Sequence, residues 1–488
     1  MEVHMKTHHL VTLAAIFALT LICPQRASAQ QGDMPITTSS KEALALFIQG
    51  RDKAENLEQT AAIPLFDQAI QKDPGFAMAH LARAQSAGNF NQFREHLGHA
   101  VSLAEKVSPG ERHWILAAQA QADNDLATAK EHIDQLLKLF PADKRIQYQA
   151  GIYSRTIGDA KAGLAHLTKA AELDKTYAPA YNLIGYTHSE LGDYTAAEAA
   201  FKTYIALLPN SPNPYDSHAE LLLKTGRYDE SIAQYRKALE TDPSFILSYG
   251  GIGNNYIFKG EYAKARASYQ QQFDKAPTAG AKLGALDLIT ASYMHEGNLA
   301  EALKANEQAR ALAEQEKLVP ATLATYQTAA FLLAESGKPE EAAKLLEQAN
   351  TLRGASSLPS AVKETGRIQS MIAQSRVLIA RRQFDAAKAQ LEKVRPIVEA
   401  RKSVFEAREW HEALGHLELE QGKYDAALQH FSMANQEDPY VWYYMAVAHE
   451  KKGDKAGASK LYARVVNWNQ NDLGYAVVRS RAMGKQPK

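Results

Sequence analysis

The chain has 488 residues, 45% of them hydrophobic and 23% charged, with 55 basic side chains against 55 acidic ones. That leaves ample apolar surface for a large core, and the even charge argues against a nucleic-acid binder, which needs a basic face. A single cysteine, Cys23, excludes a disulfide framework and a zinc site built on paired cysteines.

The first residues differ in kind from the rest. Lys6, His8 and His9 precede an apolar run from Leu10 to Ile22, followed by Pro24, Arg26 and the small triplet Ala27-Ser28-Ala29. At 1.5 Å per residue such a run makes about 20 Å of helix, short of a hydrocarbon core of roughly 30 Å. Residues 1–29 are therefore expected to be a secretory signal peptide cleaved after Ala29, not an anchor. A lipoprotein signal fits less well, because Ile22 stands where a small residue should precede the acylated Cys23. Cleavage leaves a nearly neutral, thiol-free chain, which suits an oxidising periplasmic or secreted location. No later apolar run is long enough to span a membrane, and residues 30–40 read as a flexible N-terminus.

From Lys41 onward the chain repeats. Tyr181, Tyr215 and Tyr249 fall 34 residues apart, as do Tyr194, Tyr228 and Tyr262, and Gly158, Gly192, Gly226 and Gly260 keep the same period. Pro209, Pro243 and Pro277 follow it too. One unit reads Tyr181, Ile184, Gly185, His188, Ala197, Phe201, Pro209; another reads Tyr249, Ile252, Gly253, Tyr256, Ala265, Tyr269, Pro277. This order of aromatic, apolar, small and aromatic residues, then Ala, an aromatic and Pro, resembles the tetratricopeptide repeat. The resemblance implies an all-α, right-handed superhelical solenoid of about twelve antiparallel helix pairs, with units starting near 43, 77, 111, 144, 178, 212, 246, 283, 323, 368, 408 and 439. Residues 41–279 read as regular repeats, 280–466 as longer irregular ones, and 467–488 as a C-terminal capping helix and tail. The stretch from Arg353 to Ser360 is expected to be a loop or a break in the stacking.

Glycine inside a helix costs about 1 kcal/mol against alanine, so Gly151, Gly185 and Gly253 call for close approach of the paired helix. Gly158, Gly192, Gly226 and Gly260 instead fall where the first helix ends and a positive φ is useful. No alternating pattern of strands appears, so an α/β enzyme has no sheet to stand on.

Signals of chemistry are weak. His411-Glu412-Ala413-Leu414-Gly415-His416 invites comparison with a zinc-protease helix, but histidines five apart are turned about 140° from each other on a helix and cannot share an ion. Gly250-Gly251-Ile252-Gly253 lacks the strand and the lysine of a phosphate loop and coincides with a repeat helix. His188, His218 and His449 fall on the packing stripe. We therefore expect no catalytic residue, no cofactor and no metal.

The sides of the first helices beside the packing stripe are available to line a groove. In this register they carry Tyr148, Ile152 and Arg155, then Asn182 and Tyr186, Asp216 and Glu220, and Asn254. Tetratricopeptide arrays bind extended or helical peptides on that face, and the resemblance implies the same here. The asparagines can pair with a peptide backbone and the tyrosines offer contact area. Asp216 and Glu220 depart from the family members that clamp a C-terminal carboxylate, since both would repel it. The expected function is a non-catalytic protein-interaction scaffold. The alternatives are an envelope polysaccharide binder using groove tyrosines and an enzyme with a cryptic C-terminal site. Tyr440 and Tyr443 offer a second aromatic patch.

Overall fold

The computed structural model describes residues 32–485; the signal peptide expected over residues 1–29 lies outside them. The described residues contain 25 α-helices, one three-residue 3-10 helix at Ala104–Lys106 and no strand. They divide into two compact units, 32–177 and 178–485.

The first unit holds four helix pairs: α1 (Lys41–Glu55) with α2 (Gln59–Lys72), α3 (Ala77–Gln85) with α4 (Phe90–Leu103), α5 (Pro109–Ala122) with α6 (Leu126–Leu139), and α7 (Lys144–Thr156) with α8 (Ala160–Leu173). The flexible N-terminus expected over residues 30–40 is, in its described part, tied to this unit. Met34 is buried and its N–H donates to Asp143 at 2.7 Å, while the N–H of Thr37 donates to Glu111 at 2.7 Å. Composition alone gave no sign of these contacts, because both acids lie far along the chain.

The second unit continues with α9 (Ala178–Glu190) and α10 (Tyr194–Leu207), α11 (Pro212–Lys224) and α12 (Tyr228–Thr241), α13 (Leu247–Phe258) and α14 (Tyr262–Lys275), then α15 (Ala279–His295) and α16 (Leu299–Gln315). There follow α17 (Val319–Glu335) with α18 (Pro339–Ala355), α19 (Ser360–Ala380) with α20 (Phe384–Arg401), α21 (Val404–Glu420) with α22 (Tyr424–Met433), α23 (Pro439–Lys452) with α24 (Lys455–Val466), and the unpaired α25 (Leu473–Met483). The two units together thus hold twelve pairs, and the expected all-α stacking of antiparallel helix pairs is the observed one. The loop expected between Arg353 and Ser360 is present over residues 356–359, while the other expectation there, a break in the stacking, is not met. Helix α18 runs on to Ala355, α19 begins at Ser360, and the two helices pack against each other without a break.

Local chemistry explains the hairpins. Gly192 ends α9 at φ +81°, and Asp193 next to it caps α10 by accepting the N–H of Ala196 at 3.0 Å. Within the pair, a Cβ on Gly185 would stand 2.6 Å from the Phe201 ring. The same relation joins Gly415 to Phe431 in α21 and α22. Each pair leaves an apolar face that only its neighbour covers, as in repeat architectures generally. At the C-terminal end α25 covers that face, with Tyr475, Val477 and Val478 buried against α15, α23 and α24.

Candidate functional site

In the first unit the expected groove residues Tyr148, Ile152 and Arg155 lie on α7, all half-buried. Tyr148 meets Tyr177 edge-on at 5.5 Å, and burial pushes its hydroxyl up to about 12.

In the second unit Asn182 is buried on α9, with no partner for its side-chain oxygen. Tyr186, also on α9, donates to the carboxylate of Glu220 on α11 at 2.6 Å and packs edge-on against Phe201. Asp216 is buried and accepts from the Ser248 hydroxyl at 2.5 Å. Desolvation, with the neighbouring Glu220 charge adding to it, lifts the Asp216 carboxyl to about 7. Tyr186, Glu220, Asp216 and Ser248 thus bring α9, α11 and α13 into one polar patch. Asn254 is engaged differently. Its oxygen accepts from the Tyr269 hydroxyl at 2.8 Å and from the Asn471 amide at 3.0 Å, so a C-terminal segment of the chain itself covers it.

The larger feature is a cavity of about 700 Å³ within the second unit. Its walls come mainly from the first helices of successive pairs, α17, α19, α21 and α23, and from α25 and the segment leading into it, with Leu346 of α18 and Arg382 of the α19–α20 loop. Arg376 on α19 reaches Glu412 at 3.2 Å and His416 Nε2 at 3.2 Å, donates to the Tyr440 hydroxyl, and lies over the Phe331 and Tyr440 rings at 5.6 and 5.1 Å. Burial and the adjacent guanidinium hold His416 far below the usual imidazole range, so it is neutral and accepts the Arg376 N–H. Glu335, the last residue of α17, accepts from Tyr440, from Tyr444 at 2.8 Å and from Arg481 at 3.1 Å. Five helices are therefore joined through one network of two arginines, two carboxylates, two tyrosines and a histidine.

Other acids stand in the same wall. Desolvation lifts Glu412 to about 7 despite Arg376, and Asp472 to about 6. Asp438 is raised by burial, and Glu409, although open to the solvent of the cavity, is raised by the protein around it. Asp438 and Asp472 also cap α23 and α25, accepting from the N–H of Tyr440 at 2.8 Å and of Tyr475 at 2.7 Å.

Of the sequence signals, Tyr440 belongs to this cavity, whereas the motif around His411 and His416 resolves into two environments. His416 faces Arg376, and His411 Nδ1 lies 3.2 Å from His430 Nδ1 on the paired helix. No group of three or more His, Cys, Asp or Glu among the described residues is arranged to hold a metal. No described helix is long and apolar enough to cross a membrane. Sequence reading missed Glu335, Arg376 and Arg481, whose spacing carries no motif; an arginine directly before the apolar run Val377-Leu378-Ile379-Ala380 of α19 was the one available signal.

Tetratricopeptide repeat models match residues 178–210, 213–245, 372–441 and 418–480. The chain is 31% identical over 86 residues to the small glutamine-rich tetratricopeptide repeat-containing protein 2 of Mycosarcoma maydis, covering 18% of this chain and 24% of that protein. It is 30% identical over 132 residues to human tetratricopeptide repeat protein 13, covering 26% of this chain and 14% of that one. The chain thus spans a quarter or less of the length of these curated relatives. A crystal structure of a tetratricopeptide repeat protein from Parabacteroides merdae is 16% identical, with a TM-score of 0.36, over 59% of this chain and 99% of that one. The chain carries tetratricopeptide repeats in residues 178–245 and 372–480.

Proposed function

We propose that the protein is a non-catalytic interaction scaffold, exported to the periplasm or beyond, and that it holds a segment of a partner protein in the cavity of its second unit. Tetratricopeptide repeat proteins generally mediate protein–protein interactions. The observation that carries the reading is the cavity itself: about 700 Å³, within the range of pockets that enclose a ligand, with one apolar wall and one wall of groups locked by mutual hydrogen bonds. Such a wall is already ordered before a partner arrives, which lowers the cost of binding. The hydrogen-bonded pair Tyr186 and Glu220 is a further contact surface for the same partner.

Site-specific photo-crosslinking in the native host tests the site. A crosslinker at Gln327, in the cavity wall, should capture a discrete partner, while one at Lys388, exposed on α20, should not. Equal capture from both positions, or none from Gln327, would remove the cavity as the binding site. Export rests on Ala27-Ser28-Ala29, and the mature protein should begin at Gln30 by N-terminal sequencing.

A further inference from the structure

The charges around the cavity do not balance. Its wall holds six carboxylates, those of Glu335, Glu409, Glu412, Glu420, Asp438 and Asp472, against the guanidiniums of Arg376, Arg382 and Arg481. Two of the three cations are already committed. Arg481 is paired with Glu335 at 3.1 Å, and Arg376 is divided among Glu412, His416 and Tyr440. Arg382 lies over the ring of Phe384 at 5.5 Å, on the loop between α19 and α20. An arriving anion would find no unspent guanidinium at the centre and would meet a surplus of negative charge.

The apolar part of the lining sets the shape of what can enter. Phe331, Ala334, Leu346, Ile372 and Val377 form it, and Tyr440 and Tyr444 stand where the apolar and acidic walls meet. A long aliphatic stem ending in a cation matches that arrangement, its methylenes against the apolar wall and its charge toward Glu409 and Glu412. The protein already shows that the environment accepts a cation, since Arg376 occupies such a place between aromatic rings and carboxylates.

Resting on the reading that this cavity is the binding site, we propose that its occupant is a basic segment of a partner protein, with at least one lysine or arginine side chain inserted toward Glu409 and Glu412. The raised carboxyls of Glu412, Asp438 and Asp472 agree with it, because burial without enough opposing charge is what lifts them and a bound cation would relieve it. Charge complementarity of this kind selects partners and speeds their encounter.

The test uses the full mature chain and three labelled, end-blocked hexapeptides that alternate leucine with lysine, glutamine or glutamate, measured by fluorescence anisotropy at physiological salt. Each peptide also carries a photo-reactive group, so that capture near Gln327 can be mapped. The lysine peptide should bind at least tenfold more tightly than the glutamine peptide and crosslink in the cavity, and the glutamate peptide should not bind. Glu409→Gln, which removes a charge without breaking an ion pair, should weaken the lysine peptide several-fold, and Glu409→Lys should weaken it further and admit the glutamate peptide. The outer-surface pair Glu392→Gln with Glu399→Gln should change nothing, and circular dichroism should show all variants folded. If the peptides crosslink in the cavity without regard to charge, or the Glu409 variants bind like wild type, the basic preference is overturned while the cavity remains a binding site. If none crosslinks there, both readings fall.

Discussion

The side-chain amide of Asn471 donates to the side-chain oxygen of Asn254 across 217 positions of sequence, at 3.0 Å. The same amide lies 3.2 Å from the Tyr269 hydroxyl, and its oxygen lies 2.9 Å from His295 Nε2. Asn469 repeats the device, accepting from Tyr228 at 2.9 Å and donating to the Lys224 carbonyl at 3.3 Å. The segment before α25 is thus bonded into the middle pairs of the second unit in the way a bound peptide would be. A residue expected to meet a partner meets the protein's own chain.

Asn471→Ala removes those bonds, leaving buried His295 Nε2 without its partner and the Asn254 oxygen with the Tyr269 hydroxyl alone. It should cost about 1–3 kcal/mol. The loss should be seen as faster amide hydrogen exchange in α15 and α25, with the first unit unaffected, because each pair depends on its neighbours. Unchanged protection of α25 would mean that its apolar face alone holds it.

Gly185→Leu places a branched side chain where even a Cβ meets Phe201 at 2.6 Å. Overpacking of this kind costs about 1–3 kcal/mol. Urea unfolding should give a lower midpoint, with exchange rising first in α9 and α10. Wild-type stability would show that the pair can spread without penalty.

Two histidine pairs have the same spacing. His113 Nδ1 lies 3.0 Å from His132 Nδ1 and His411 Nδ1 lies 3.2 Å from His430 Nδ1, each pair 19 residues apart on facing helices. Desolvation lowers all four imidazoles, and the partner ring adds to the effect at His113 and His411. The unfolded chain therefore takes up protons first, and the stability these groups allow at neutral pH is lost as pH falls below about 6.5 toward the folded values. Between pH 7.5 and 5.5 the wild type should lose more stability than His411→Gln with His430→Gln, read as urea midpoints at each pH. Parallel losses in the two proteins would assign the acid sensitivity to other groups.

Asp216 has the opposite sign. Its carboxyl, lifted to about 7 by desolvation first and by Glu220 second, binds a proton more readily in the folded state than in the unfolded one. Folding is therefore penalised above pH 7, and the penalty fades as pH falls toward the ordinary carboxylate range. Asp216→Asn should raise the thermal midpoint at pH 8 and change it little near pH 4. A variant less stable than wild type at pH 8 would show that the charged form is the one Ser248 supports.

The sequence by itself determined the helix pairs and, in the regular part of the chain, where each begins to within about two residues; past residue 279 the expected starts fall four to eight residues late in four of five pairs. Gly185 against Phe201 and Gly415 against Phe431 are contacts within one hairpin, so the residues that make them recur at short fixed spacings and can be read without the fold. The same locality exposed Tyr186 and Glu220, which lie one period apart on neighbouring first helices and are hydrogen-bonded at 2.6 Å. Tertiary structure alone decided the cavity and the closing segment. Arg376, Glu335, Tyr440 and Arg481 come from four helices in the irregular part of the chain, where no constant period aligns one with the next. Asn471 and Asn254 meet only because α25 packs on α15 and carries the segment before it against the middle pairs of the second unit. Contacts that depend on the stacking of many pairs cannot be read from any one of them, which is why the cavity left so little trace in the sequence.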